Sequence, residues 1–85
     1  MLTIYGTRLC PDCVEALDTL DQRGISYDYV DIFASTQNLK ALLAYRDHHP
    51  AFDPARAEGF IGIPCFVTED GRVTLALEDV LEGRF

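Results

Sequence analysis

The stretch Arg8-Leu9-Cys10-Pro11-Asp12-Cys13 holds two thiols with two residues between them. A pair at this spacing can supply two ligands to a metal, or it can carry electrons by making and breaking a disulfide. Spacing alone does not choose. A structural zinc needs four ligands, and the other soft donors are Cys65, His48 and His49, with no second pair of cysteines at this spacing. Electron transfer asks for less: one thiolate that a substrate disulfide can reach, and a second thiol close enough to release it.

What positions the two sulfurs decides between these chemistries. Residues 2–5 are apolar and partly β-branched and run into Gly6-Thr7, the signature of a short strand followed by a loop. Across residues 11–23, Val14, Leu17 and Leu20 recur every third position, while Asp12, Glu15, Asp18 and Gln22 supply a polar side, so a helix is predicted there. Pro11 suits its first position, where a missing N–H costs nothing. Gly24 followed by Ile25 reads as its stop. Cys10 therefore falls at the N-cap, where unpaired N–H groups and the positive end of the helix dipole favour a thiolate. Arg8 adds positive charge, and Asp12 opposes a second anion beside it. Cys13, one turn in, is placed to attack a mixed disulfide on Cys10.

The remaining elements follow by the same reasoning. A second strand is predicted over 27–32 and a second helix over 36–47, capped by Ser35 and buried through Leu39, Leu42 and Leu43. Residues 48–59 read as an irregular connection with at most one helical turn at Asp53-Pro54. A third strand over 63–68, a turn at Glu69-Asp70-Gly71, a fourth strand over 72–75 and a closing helix over 77–82 complete the chain. The order β-α-β-α-β-β-α predicts an α/β sandwich: a four-stranded mixed sheet, its first two strands parallel and its last two antiparallel, flanked by three helices. On this pattern Cys65 reads as a core residue, with a regulatory or alternative resolving thiol as the competing role. His48 and His49 read as solvated loop residues, with local pH sensing or metal capture as the competing roles, and Tyr27, Tyr29, Phe33 and Tyr45 as packing aromatics.

Eighty-five residues make a single domain, 1–85. Its charged fraction of 25% and hydrophobic fraction of 48% suit a chain that folds on its own core. A net charge of −7 without any Lys/Arg cluster lacks the footprint of a nucleic-acid binder and is repelled by anionic membrane surfaces. No apolar run approaches the roughly 18–20 residues of a membrane helix, and no secretory signal opens the chain, so a cytoplasmic protein is expected; a monomer is expected as well, though nothing in the residues reads out the oligomeric state. In that compartment three cysteines suit catalysis, regulation or metal binding better than a disulfide scaffold.

A strand, Cys-Pro-x-Cys at a helix start, and Ile63-Pro64 opening a later hairpin together resemble the glutaredoxin family of thioredoxin-fold proteins, from residue 2 to about residue 82. The resemblance implies a thiol–disulfide oxidoreductase that reduces disulfide-containing proteins or glutathione mixed disulfides, with glutathione as the reducing cosubstrate. It implies Cys10 and Cys13 as the catalytic pair. It further implies a cis peptide bond at Pro64, a backbone at Ile63 that pairs with the bound peptide or glutathione, and Asp79 as the carboxylate that receives the glutathione amino group. Arg8, Pro11 and Asp12 would border the same site. Three features depart from the family: Asp12 stands where an aromatic is usual, Leu75-Ala76 replaces paired glycines before the last helix, and the connection between Tyr45 and Gly62 is long for a minimal member. The second departure keeps a rival electron donor open, a thioredoxin-type reductase. A module holding zinc or an iron–sulfur cluster on the same cysteines is the rival of another class.

Overall fold

The computed structural model describes residues 1–84. The first strand, β1 (Leu2–Gly6), lies inside the sheet and organises the rest. It pairs in parallel with β2 (Tyr27–Asp31) through Leu2 opposite Tyr27 to Gly6 opposite Asp31. On its other side it pairs antiparallel with β3 (Cys65–Val67), Ile4 lying opposite Phe66. The short β4 (Val73–Thr74) then pairs antiparallel with β3. The resulting order is β2-β1-β3-β4. Helix α1 (Pro11–Gln22) makes the crossover between the two parallel strands, α2 (Thr36–Arg46) follows β2, and the helix Leu77–Glu82 closes the chain.

Side chains alternate across the sheet, so each strand contributes to two cores. Ile4 and Phe66 point to one face and pack against Ala16, Leu17 and Leu20 of α1, with Leu77, Val80 and Leu81 of the closing helix beside them. Cys65 and Val67 point to the other face and join Ile32, Leu42 and Phe52, with Tyr5 and Tyr45 at the edge. This is the α/β sandwich expected from the sequence, with helices on both faces. The stripe of α2 narrows to Leu42 as its fully buried member, while Leu39 and Leu43 are half-buried.

The connection after α2 is not irregular. It holds a 3-10 turn (Pro50–Phe52) and a further helix, α3 (Asp53–Glu58), so the closing helix is α4 and the described residues form four α-helices, not the three expected. Pro50 and Pro54 each occupy a first-turn position, where proline favours a helix instead of breaking it. Tertiary contacts hold the segment. The Arg56 guanidinium donates to the Arg46 carbonyl at 2.5 Å and to the His49 carbonyl at 3.2 Å, and pairs with Asp53. His49 is half-buried, and its Nδ1 accepts from the Ala51 N–H at 3.0 Å, so it caps the 3-10 turn and is not a solvated loop residue. Phe52 is fully buried and its ring lies under Gly62, where a Cβ would come within 2.5 Å of it. Gly62 also has φ +88°, so this position is fixed as glycine twice over.

Candidate active site

The site begins where β1 stops. The Thr7 carbonyl accepts from the Cys10 N–H at 3.1 Å, and the Thr7 hydroxyl accepts from the Leu9 N–H at 3.3 Å, which turns the chain sharply into α1. Cys10 is the N-cap, extended at φ −100° and ψ 119°, and its carbonyl accepts from Val14 N–H at 3.1 Å. Its side chain makes no capping bond, so the sulfur is left available at the end of a helix whose first N–H groups lack internal partners. Pro11 takes the first turn as predicted, and Asp12 is exposed beside it.

The two thiols of the pair differ in access. Cys10 is half-buried, whereas Cys13 is only 1% exposed. Cys13 lies against Gly6, where a Cβ would sit 2.9 Å from its Sγ, so glycine at the end of β1 makes the room for this sulfur. Burial is the main reason that the Cys13 thiol is held well above its ordinary acidity range. A hydrogen bond from the Thr7 backbone works the other way, while the bond that Cys13 makes to Cys10 and the charges of Cys10 and Asp12 push it further up.

Two cavities open beside this pair. The larger, about 710 Å³, is bordered by Cys10, Asp12, Phe33, Phe60, Ile61 and Ile63. The smaller, about 260 Å³, is bordered by Asp12, Glu15, Ile63, Pro64 and Glu78. The Ile63–Pro64 peptide bond is cis, as the family resemblance implied. The structure thus brings Cys10, Cys13, Pro11, Asp12, Ile63 and Pro64 to one end of the sheet. Leu75 lines both cavities and Ala76 lines the smaller, at the place where the family carries glycines.

Two predicted site residues stand elsewhere. The Arg8 guanidinium lies over the ring of Tyr29, 5.4 Å from its centroid, and borders neither cavity. The Asp79 carboxylate accepts from the Thr74 hydroxyl at 2.6 Å, and that hydroxyl in turn accepts from the Ala76 N–H at 3.1 Å. In this arrangement Asp79 braces the start of α4 and borders neither cavity. Cys65 is fully buried in the core, and burial pushes its thiol up to about 12. Among the described residues, no three His, Cys, Asp or Glu side chains come together as a metal site, and no helix is long and apolar enough to cross a membrane.

Several bordering residues were not predicted. Phe33, read as a packing aromatic, is 56% exposed and lines the larger cavity. Phe60 and Ile61 line it as well, with Glu58 of α3. Their signal in the sequence was the apolar run Phe60-Ile61-Gly62-Ile63, which begins before the predicted third strand and is too long to belong to it alone.

Comparison with known proteins agrees with this geometry. The glutaredoxin family model matches residues 2–52, from β1 through the cysteine pair to the 3-10 turn. A protein of Haemophilus influenzae described only as an uncharacterized protein is 36% identical over 74 residues, covering 87% of this chain and 86% of that one. No solved structure matches. The family model spans more than half of the chain and contains the helix-capping cysteine pair, and the mixed sheet is covered as a thioredoxin fold requires: the chain belongs to the glutaredoxin family.

Proposed function

We propose that this protein is a dithiol–disulfide oxidoreductase that reduces disulfides in proteins or small molecules through Cys10 and Cys13. The observation that carries the reading is the unequal access of the pair. Cys10 is half-buried at the edge of the larger cavity, and Cys13 is buried behind it. A substrate sulfur can meet Cys10; Cys13 can meet only Cys10. The Cys10 thiolate attacks the substrate disulfide, that bond breaks, and one substrate sulfur departs and takes a proton. The other is left bonded to Cys10. Cys13 then loses its proton and attacks the Cys10 sulfur, forming the Cys10–Cys13 disulfide and releasing the second substrate thiol. Two electrons pass from the protein to the substrate; the first departing sulfur takes its proton from solvent and the second takes the one that Cys13 gives up.

The surroundings of Cys13 support this order. Burial keeps it a thiol until the mixed disulfide exists, and the Thr7 backbone bond is ready for the thiolate when it forms. Asp12, Ile63 and Pro64 border both cavities or one of them and would touch the substrate, while Pro11 holds the helix start. Arg8 and Asp79 would take part only by leaving Tyr29 and by using the Asp79 oxygen that Thr74 does not. A monomer in the cytoplasm, where thiols stay reduced, fits this chemistry.

Family membership points to glutathione as reductant, two glutathione thiols restoring the dithiol. A specific observation favours a second donor. Neither cavity is lined by Lys or Arg, and Leu75-Ala76 stands before α4, so nothing there pairs with the two carboxylates of glutathione. A thioredoxin-type reductase avoids that requirement. The deciding assay follows reduction of bis(2-hydroxyethyl) disulfide by the pre-reduced protein, wild type beside Cys10→Ser, and then compares reoxidised protein recycled by glutathione or by thioredoxin reductase. Loss of the reaction in Cys10→Ser is expected, and an unchanged rate overturns the reading.

A further inference from the structure

We infer that the larger cavity is a docking groove for a polypeptide substrate that carries a bulky apolar side chain next to its disulfide cysteine, in neutral or basic surroundings. The inference rests on the oxidoreductase reading and narrows its substrate class. Among the described residues, the large apolar side chains left exposed are Met1, Leu9, Phe33, Phe60 and Ile61. Leu9 (82%), Phe33 (56%), Phe60 (64%) and Ile61 (47%) all line this one cavity together with Cys10. Exposed apolar residues scattered singly need no explanation, but four gathered beside a reactive sulfur do.

The apolar wall is held in place before any substrate arrives. The Arg46 guanidinium donates to the Phe60 carbonyl through Nε at 3.2 Å and Nη2 at 2.7 Å. Arg56 ties the segment to the end of α2, and the Phe52 ring packs under Gly62. A preformed wall spares the substrate the ordering cost that a loose loop would add.

Charge selects the occupant. The charged residues lining the cavity are Asp12 and Glu58, both acidic. Glutathione, with two carboxylates against one ammonium, meets no cation there. A second copy would bring a net charge of −7 against −7 and set its own Asp12 and Glu58 against this acidic rim. An anionic lipid surface is repelled in the same way. A neutral or basic polypeptide is attracted, and its apolar side chain finds the groove next to the attacking sulfur.

The test uses four short peptides, each with one cysteine as a mixed disulfide with 2-mercaptoethanol. The residue after the cysteine is Leu or Ser, and the flanks carry Lys or Glu. Single-turnover oxidation of the pre-reduced protein is followed by stopped flow, so that no reductant enters. The Leu peptides should react about tenfold faster than the Ser peptides of equal charge, from burial of one side chain. The Lys forms should outpace the Glu forms at low salt and less so at high salt. In the Phe60→Ser/Ile61→Ser double variant, the Leu-to-Ser ratio should fall to about one. Equal rates for Leu and Ser in the wild type overturn the groove, as does faster oxidation by glutathione disulfide than by any peptide. A concentration-dependent dimer in sedimentation that the double variant dissolves also overturns it, by making the groove a self-association surface. Inert peptides beside an active bis(2-hydroxyethyl) disulfide sink the groove alone, whereas failure of both also removes the oxidoreductase reading beneath it.

Discussion

The start of α1 and the start of β3 each bury a thiol almost completely, yet the two regions do different work. Cys13 and Cys65 are 1% and 0% exposed, and burial is the leading cause that raises both thiols. For Cys65 it is the whole cause. For Cys13 a backbone bond from Thr7 stabilises the thiolate, and Cys10 lies within hydrogen-bonding reach. Burial therefore makes a thiol inert by default. In the proposed reaction, what sets Cys13 apart as the resolving group is a donor aimed at its sulfur and a partner to attack, and both come from the turn that joins β1 to α1.

The largest expected effect tests that difference directly. Cys13→Ser should halt release of a protein substrate and leave the Cys10–substrate mixed disulfide accumulating, read by intact mass. Cys65→Ala should keep turnover and lose about 1 kcal/mol of stability, from one small buried group. Accumulated mixed disulfide in Cys65→Ala, or none in Cys13→Ser, would break the contrast. Next, Gly6→Ala places a methyl 2.9 Å from the Cys13 sulfur. It should cost about 1–3 kcal/mol by overpacking and slow the resolving step in rapid-quench measurements. Unaltered stability would mean that the sulfur has room to move.

The pH dependence is smaller and sharpens the same comparison. Cys65 has an ordinary value of 9.0 that burial pushes up to about 12. Above about pH 9 the unfolded chain has lost this proton and the folded chain has kept it. The stability contributed is fully present below that pH and is lost as pH rises towards 12, at up to about 1.4 kcal/mol per unit. Cys13 acts in the same direction. Urea denaturation at pH 7, 9 and 10.5 should show wild type losing stability faster than Cys65→Ala; parallel curves would contradict the burial argument. The smallest effect lies away from both thiols. His49→Ala should cost about 1 kcal/mol through loss of the cap on the 3-10 turn, with disulfide reduction unchanged.

Much of this was legible in the residues. Three-residue spacing of Val14, Leu17 and Leu20 after Pro11 set the helix, and with it the N-cap position of Cys10. Strand alternation set Cys65 and Phe66 on opposite faces of the sheet. The third and fourth strands are shorter than predicted, at Cys65–Val67 and Val73–Thr74: Pro64 has no N–H to give the ladder, and the turn through Gly71 separates the two. What stayed hidden was α3. Six residues carry too little periodicity to announce a helix, and this one is held by Arg56, His49 and the packing of Phe52 under Gly62. Those contacts join positions up to ten residues apart and leave no local pattern. The groove wall at Phe60 and Ile61 was hidden for the same reason, since its place depends on α3. Phe33, read as a packing aromatic, is exposed because the preceding Ile32 takes the core position.

The grip of Arg46 on the Phe60 carbonyl has a consequence for how such a protein diversifies. Every amino acid carries that carbonyl, so the anchor does not depend on which side chains stand at positions 60 and 61. Shape and identity of the wall are encoded separately: one in an arginine on α2, the other in two exposed residues. Mutational drift, or a library randomised at those two positions, can exchange one clientele for another without disturbing the scaffold. Replacing Arg46 would do the opposite, keeping the same surface residues while letting them wander.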